Sequence, residues 1–353
     1  MRALVMTKHG APEVLQVQER PDPPSPAPGE VTVSVHAAGV AFSEVAARVG
    51  VYPPAPKPPA VLGTDIAGTV AAVGDGVSTV SVGDRVFGVT QYNGHAELVS
   101  TLADNVRPLS GKLSFEQGAA IGINYATAWM SLVNYGGVEH QRGSRVLIHA
   151  AAGGVGIAAI QIAKRYQAEI WGTASRGKHQ VIRELGLDHP IDYNVKGWHE
   201  DLPTFDIVLD PLGGSSWRIS YGLLRPGGRT VNYGASNAIP EGRRSLLAFA
   251  KALAVMPRPS LLKMLWASKG ILGLSMPALW EDRGSYGPFL DPLVELIEDG
   301  TIQPVIDGVF TFDTAPDAHR RLMQRKNIGK VVLVPGPGEG SKPDDSSAVP
   351  AGS

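Results

Sequence analysis

The run Val146-Leu-Ile-His-Ala-Ala-Ala-Gly-Gly-Val-Gly-Ile-Ala-Ala-Ile-Gln-Ile-Ala-Lys164 passes from an apolar strand pattern through a glycine turn into an apolar helical pattern. A buried strand that feeds directly into a helix is a unit of a parallel sheet with helices packed on it, so this stretch commits the region to an α/β fold. Gly154, Gly156 and Ala159 fall on the G-x-G-x-x-G/A spacing. The first allows a tight turn, the second lets the backbone approach a pyrophosphate, and the third lets helix and strand pack closely. The helix start also offers unpaired amides and the positive end of its dipole to phosphate. Ala152, Gly153 and Val155 complete the turn and are read with it as dinucleotide-binding residues.

In such a fold the residue that chooses between NAD and NADP stands about 20 residues further on, at the tip of the next strand. Ala168-Glu-Ile-Trp-Gly-Thr-Ala-Ser-Arg-Gly-Lys178 reads as that strand and tip, with Thr173, Ser175, Arg176 and Lys178 at its end and no carboxylate. A carboxylate there would accept from a ribose hydroxyl and repel a 2′-phosphate, whereas hydroxyls and cations favour the phosphate. The cofactor expected is NADPH.

Composition removes other classes. With 32 Lys and Arg against 33 Asp and Glu in 353 residues, no global field draws in nucleic acid or anionic membrane. The absence of Cys excludes disulfides, a thiol nucleophile and Cys-rich zinc sites. No apolar run reaches the roughly 18 residues that span a bilayer. Met1-Arg-Ala-Leu-Val-Met reads as a strand and not as a signal sequence, and the expectation is a cytoplasmic enzyme acting on a small molecule.

Three regions follow from the pattern. Residues 1–122 hold short Val- and Thr-rich strands separated by Gly and Pro, which suggests a β-rich, barrel-like lobe. Residues 123–270 alternate strand and helix, with strands near 145–150, 168–173, 206–210 and 229–234, and read as a doubly wound parallel sheet. Residues 271–334 add a strand at 270–275, helices near 290–298 and 315–324, and a last strand at 330–334. The Gly-, Pro- and Ser-rich stretch 335–353 reads as disordered. The apolar segment 245–266 admits two readings: a lid or membrane-surface helix, or helices that bury an apolar face against the other lobe. The second is preferred. Strand 271–274 is an edge through which two copies can join as a homodimer.

Several runs now resemble one family. Pro28-Gly-Glu-Val31, Gly39-Val-Ala-Phe-Ser43, Gly50-Val-Tyr-Pro53, Leu62-Gly-Thr-Asp-Ile-Ala-Gly68, Val82-Gly-Asp-Arg-Val86 and Gly329-Lys-Val-Val332 resemble zinc-free medium-chain dehydrogenases/reductases of the quinone oxidoreductase branch. Val133-Asn-Tyr-Gly136, His189-Pro-Ile-Asp-Tyr193, Asp210-Pro-Leu-Gly-Gly214 and Lys326-Asn-Ile-Gly-Lys-Val-Val-Leu-Val-Pro-Gly336 are similar to the vesicle amine transport protein homologues. The resemblance implies a GroES-like catalytic lobe joined to a Rossmann domain. The zinc ligands of the metal-dependent relatives are replaced by Ala41, Thr64 and about Ile123, none of which binds zinc. The nine His, at 9, 36, 95, 140, 149, 179, 189, 199 and 319, show no ligand spacing and read as surface or packing residues.

A chain without a zinc ligand set is poorly equipped to polarise a simple carbonyl. A quinone or an α,β-unsaturated carbonyl is a better hydride acceptor, since charge moves onto its oxygen and a donor or water supplies the proton. Tyr52, in the Gly-x-Tyr-Pro position, is the candidate donor by its similarity to enoyl-thioester reductases. Ser43 and Thr64 are further catalytic candidates, and Tyr125 and Thr127 lie where the chain crosses between lobes. Tyr193, Gly234, Ala235 and Lys330 join the cofactor set by resemblance. Ala41 stands where quinone reductases often carry Asn, which weighs against quinone. Asp65 and Asp84 read as turn or capping residues. Two alternatives stand beside the quinone or enone reductase: an enoyl-thioester reductase, and a non-catalytic protein that binds NADPH or a membrane surface.

Overall fold

The computed structural model describes residues 1–140, 142–239, 255–257 and 260–336. The first strands are β1 (Arg2–Met6), β2 (Leu15–Glu19) and β3 (Glu30–Val40), followed by α1 (Phe42–Arg48). Then come β4 (Ala60–Val61), β5 (Asp65–Val73), β6 (Arg85–Val89), β7 (Leu98–Leu102) and β8 (Val106–Pro108). The 11-residue β3 is the spine of this lobe, pairing with β5 on one side and β7 on the other. Two register shifts against β5 bend it, which is how a long strand wraps into a barrel-like sheet. The alternating Val31, Val33 and Val35 point inward onto Ile66, Val70, Val86, Val99 and Val106. A separate three-stranded sheet, β2-β1-β4, closes one side.

After the short α2 (Phe115–Gly118) and the crossing helix α3 (Gly122–Trp129), the period changes. The elements are β9 (Arg145–Ile148), α4 (Gly154–Arg165), β10 (Glu169–Ala174), α5 (His179–Glu184), β11 (His189–Asp192), β12 (Phe205–Asp210), α6 (Ser215–Gly222) and β13 (Leu224–Asn232). Beyond them lie α7 (Leu261–Ala267) and β14 (Gly270–Gly273). The sheet runs β11-β10-β9-β12-β13-β14 with every neighbouring pair parallel. That is the 3-2-1-4-5-6 order of the Rossmann fold, and strand order reverses between β9 and β12, where the glycine turn emerges. The inner strand β12 is buried along its whole length, as a strand covered on both faces must be.

The pattern of alternating apolar residues did not reveal β11, because Pro190 interrupts it. The strand survives as an edge, where a missing N–H costs no ladder bond. β13 begins at Leu224 and not at Arg229, since Leu224 pairs with Phe205 before the register shifts.

The chain then returns through α8 (Met276–Arg283), α9 (Gly287–Glu298), β15 (Ile306–Thr311), α10 (Ala315–Met323) and β16 (Lys330–Val334). β16 pairs antiparallel with β3, so the last strand is built into the first lobe. A continuous apolar cluster links Phe87, Val89 and Ile121 to Tyr125, Ile148, Ala158, Leu209 and Leu290, joining the lobes through α3.

Residues 240–254, 258–259 and 337–353, which include most of the apolar segment and nearly all of the tail expected to be disordered, lie outside the described residues. The described end of the segment departs from expectation. In α7, Leu261, Leu262, Leu265 and Trp266 are 61–82% exposed, so this helix does not bury its apolar side chains against the other lobe. Among the described residues no helix is long and apolar enough to cross a membrane.

Candidate active site

The glycine turn sits at the C-terminal end of β9. Gly153 caps α4 without a side-chain bond, leaving the amides of its first turn unpaired by any cap. A Cβ on Gly156 would collide with the carbonyls of Ala150 and Ala151, and one on Gly154 would collide with the Asn124 amide. The turn is therefore packed too tightly for a side chain at either position. Ala152 and Gly153 are also docked to the C-terminal segment: the Gly329 amide donates to Ala152 O at 2.9 Å, and Gly153 bridges Gly329. Asn124, Tyr125, Gly154, Gly329 and Lys330 line one recess at this junction.

The strand tip carries Ser175, half-buried, then exposed Arg176 in a single 3-10 turn. Lys178 is already engaged: its ammonium donates to the carbonyls of Arg325 and Asn327 at 2.7 and 2.6 Å. Burial holds its pKa below the usual lysine range. Tyr193 follows β11 and is 38% exposed. A carboxylate that a reading of β10 alone missed lies one strand over, since Asp192 pairs with Ala174 in register. Its oxygen is taken up by the backbone and side-chain amides of Asn194, at 3.0 and 2.9 Å. Arg325, whose guanidinium donates to Asn237 Oδ1 at 3.4 Å, is a second cation near the Lys178 end of this surface.

Thr173 is buried and hydrogen-bonded inward to His149 and to the Ala150 amide. Gly234 and Ala235 close over the loop after β12, with Ser236 N and Asn237 N donating to Pro211 O and Leu212 O at 3.1 and 2.9 Å. Thr127 is buried on α3, whereas Tyr125 gives its hydroxyl to Gln161 Oε1 at 2.7 Å and so ties α3 to α4.

On the other lobe, Tyr52 lies in the turn after α1, half-buried against the Leu4, Met6 and Leu62 cluster. Burial raises its pKa, so the phenol stays protonated and able to donate. Tyr92 packs on the same cluster with a left-handed backbone, φ 78°, uncommon for a residue with a bulky side chain. Burial, Tyr52 and Glu44 together raise its pKa. Ser43 and Thr64 are half-buried at the start of α1 and just before β5.

Sequence reasoning missed the buried group behind them. Glu44 is 1% exposed, neither of its carboxyl oxygens has a hydrogen-bond partner among the described residues, and His95 Nε2 lies 3.5 Å from one of them. Desolvation pushes Glu44 up to about 8 and His95 down to about 4. Near neutral pH the two are thus a carboxylic acid beside a neutral imidazole, not an ion pair.

Asp65 is more than the turn residue expected. Its Oδ1 accepts the Ile123 amide at 2.6 Å, capping α3, and Oδ2 accepts from the Lys330 ammonium. Lys330, expected at the cofactor, is thereby committed to a buried ion pair between β16 and β5. Asp84 does serve its turn, accepting from Ser81 N at 2.8 Å. Among the described residues no three His, Asp or Glu side chains converge as metal ligands.

Comparison with known proteins agrees with this architecture. Residues 27–135 match the alcohol dehydrogenase GroES-like domain, and residues 185–333 match the zinc-binding dehydrogenase family. The synaptic vesicle membrane protein VAT-1 homolog of Rattus norvegicus is 37% identical over 344 residues, covering 96% of this chain and 85% of that one. The chain belongs to the medium-chain dehydrogenase/reductase superfamily. Within the superfamily it stands close to the VAT-1 homologues and has quinone oxidoreductases among its structural neighbours. The Escherichia coli quinone oxidoreductase, solved in complex with NADPH, superposes with a TM-score of 0.81 at 28% identity, covering 95% of this chain and all of that one. The CurK enoyl reductase superposes with a TM-score of 0.80 at 26% identity, covering 94% and 98%. As a member of the superfamily, the protein is an oxidoreductase.

Proposed function

We propose that the protein is an NADPH-dependent reductase that delivers hydride to an activated C=C bond, in an enone or quinone, without a metal. The observation that carries this reading is the uncapped start of α4 at the point where strand order reverses, with a turn too tight for any Cβ at Gly154 or Gly156. NADPH would supply the hydride. The glycine turn, Thr127, Gly234 and Ala235 would hold the dinucleotide, and Ser175, Arg176, Lys178 and Tyr193 the adenosine end with its 2′-phosphate. The likeness to a quinone oxidoreductase solved with NADPH supports this choice.

The other lobe supplies the proton side of the chemistry. As hydride reaches the β carbon of an enone, charge develops on the carbonyl oxygen, and a donor there stabilises it. The Tyr52 hydroxyl has no hydrogen-bond partner among the described residues, and its raised pKa keeps the proton on it until the oxygen needs it. Ser43 and Thr64 are the neighbouring hydroxyls that can orient the substrate. An enoyl thioester presents the same conjugated carbonyl, and the likeness to the CurK enoyl reductase keeps that substrate class within the proposal.

The test is to run the reaction on an enone in deuterated water with NADPH. The expected product is the saturated ketone with one solvent-derived deuterium on the α carbon and none on the β carbon. An allylic alcohol as product would refute C=C reduction.

A second reading rests on α7. Its exposed Leu261, Leu262, Leu265 and Trp266 beside Lys263 and Lys269 suit a membrane surface, and relatives carry the name synaptic vesicle membrane protein. Flotation with anionic vesicles, lost in Leu265→Glu/Trp266→Glu, would support it. It does not compete with the reductase reading, since α7 lies outside the candidate site.

A further inference from the structure

Beneath the glycine turn lies a polar chain that the reading above leaves unused. Asp210, at the end of β12, is fully buried, and among the described residues no Lys or Arg pairs with it. It is held by hydrogen bonds alone: the hydroxyls of Ser216 and Ser220 at 2.7 and 2.6 Å, and the Leu212 amide at 2.8 Å. Ser220 Oγ is also 3.1 Å from His149 Nε2, and His149 Nδ1 is 3.2 Å from Thr173 Oγ1. Thr173 Oγ1 in turn accepts the Ala150 amide at 3.3 Å.

Counting protons fixes the direction of every bond. A carboxylate only accepts, so Ser220 gives it its one proton and can then only accept from the imidazole. His149 must therefore carry its proton on Nε2, which leaves Nδ1 bare to accept from Thr173. The Thr173 oxygen is then free to accept the Ala150 N–H. Burial disfavours a charged His149, and the neutral tautomer is the one the chain requires.

The last link is the informative one. Ala150 has φ +53°, a left-handed conformation that a residue with a Cβ resists. Its carbonyl accepts Gly153 N at 2.9 Å and is one of the two carbonyls that a Cβ on Gly156 would meet. Strain at Ala150 thus sets the geometry of the turn, and the Thr173 hydroxyl is what the Ala150 amide holds on to.

We infer that Asp210, Ser220, His149 and Thr173 form a positioning chain that holds Ala150 in its strained conformation and so sets the affinity of the glycine turn for a dinucleotide that His149, Ser220 and Asp210 do not touch. This rests on the dinucleotide reading of the turn. A hydrogen bond between two strand ends that only stabilised the sheet would not need the strained residue as its terminus, and the ladders of β9 with β10 and β12 already join those strands.

The experiment is a fluorescence titration of the full chain with NADPH. His149→Phe keeps a flat ring and removes both nitrogens. Its Kd for NADPH should rise about tenfold, while turnover at saturating NADPH stays within about twofold of the parent. Adding Ala150→Gly should restore the Kd to within about threefold of the parent, because glycine adopts this φ without strain. Should His149→Phe not fold, Ser220→Ala tests the same chain further from the turn, with an expected threefold rise in Kd and the same rescue. An unchanged Kd in either folded variant, or a raised Kd that Ala150→Gly does not restore, overturns the positioning role. If the parent itself binds no dinucleotide, the functional reading fails first and the positioning role with it.

Discussion

Lys330 donates its ammonium to the Asp65 carboxylate with both side chains at most 3% exposed, joining the last strand of the chain to the fifth. The same carboxylate caps α3 through Ile123 N, so one buried ion pair fixes β16, the GroES-like sheet and the helix that crosses into the Rossmann domain. Removing one partner of such a pair leaves an uncompensated buried charge. Lys330→Met should cost about 3–5 kcal/mol in urea denaturation, and the double variant with Asp65→Asn should lose less than the two single losses combined.

The Glu44 and His95 pair predicts a pH dependence. Glu44 is raised to about 8, so the folded protein holds a proton that the unfolded chain has released above its usual 4.5. Its contribution is full below 4.5 and is lost as pH rises toward 8. His95, lowered to about 4, contributes above 6.5 and loses that contribution as pH falls toward 4. The two oppose each other in acid, and only Glu44 slopes between 6.5 and 8. Lys330, Asp65 and Tyr92 are the other titratable groups acting on Glu44 or feeling it. Unfolding free energy should fall by about 1.4 kcal/mol per pH unit in that window, and Glu44→Gln should flatten the slope. A parent protein with no slope there would place Glu44 in contact with water.

Tyr52→Phe separates a proton donor from a pocket wall. With an enone, turnover should drop roughly 10²-fold, the range of general acid catalysis, with the NADPH Kd unchanged. A quinone, whose reduced oxygen is readily protonated by water, should suffer much less. Equal turnover of both substrates by the variant would return the role to Ser43 or solvent.

At the strand tip, Arg176 and Lys178 separate by their surroundings. Arg176→Ala should lower the preference for NADPH over NADH by about tenfold, equivalent to about 1.4 kcal/mol, without changing the melting temperature. Lys178→Ala should lower both, because it also releases the Arg325 and Asn327 carbonyls. Identical effects of the two substitutions would contradict this division.

The Rossmann half was legible because buried parallel strands and a glycine turn leave continuous apolar runs and fixed spacings. Gly154 and Gly156 open α4 just after β9, as the spacing expects, whereas Thr173 is buried and bonded inward to His149. What the sequence hid is long-range pairing: Asp65 with Lys330, Glu44 with His95, and His149 with Ser220 are 265, 51 and 71 residues apart in the chain. Asp65 reads alone as a turn residue, His95 and His149 as packing residues and Lys330 as a cofactor residue, and only the fold removes each pair from water together. β11 was hidden by Pro190 for the opposite reason, since an edge position tolerates what local propensity rejects.

The reading that Ala41, Thr64 and about Ile123 stand in place of zinc ligands predicts indifference to chelation. Dialysis against a strong chelator should leave reductase activity and melting temperature unchanged. Stoichiometric zinc lost together with activity would require a ligand set elsewhere in the chain.

The most direct test of the account is NADPH consumption by the purified protein against a quinone, an enone and an enoyl thioester, run beside NADH. The account predicts steady turnover with at least one of the three and binding of NADPH at least tenfold tighter than of NADH. Tight NADPH binding with no consumption against any of the three acceptors would contradict it.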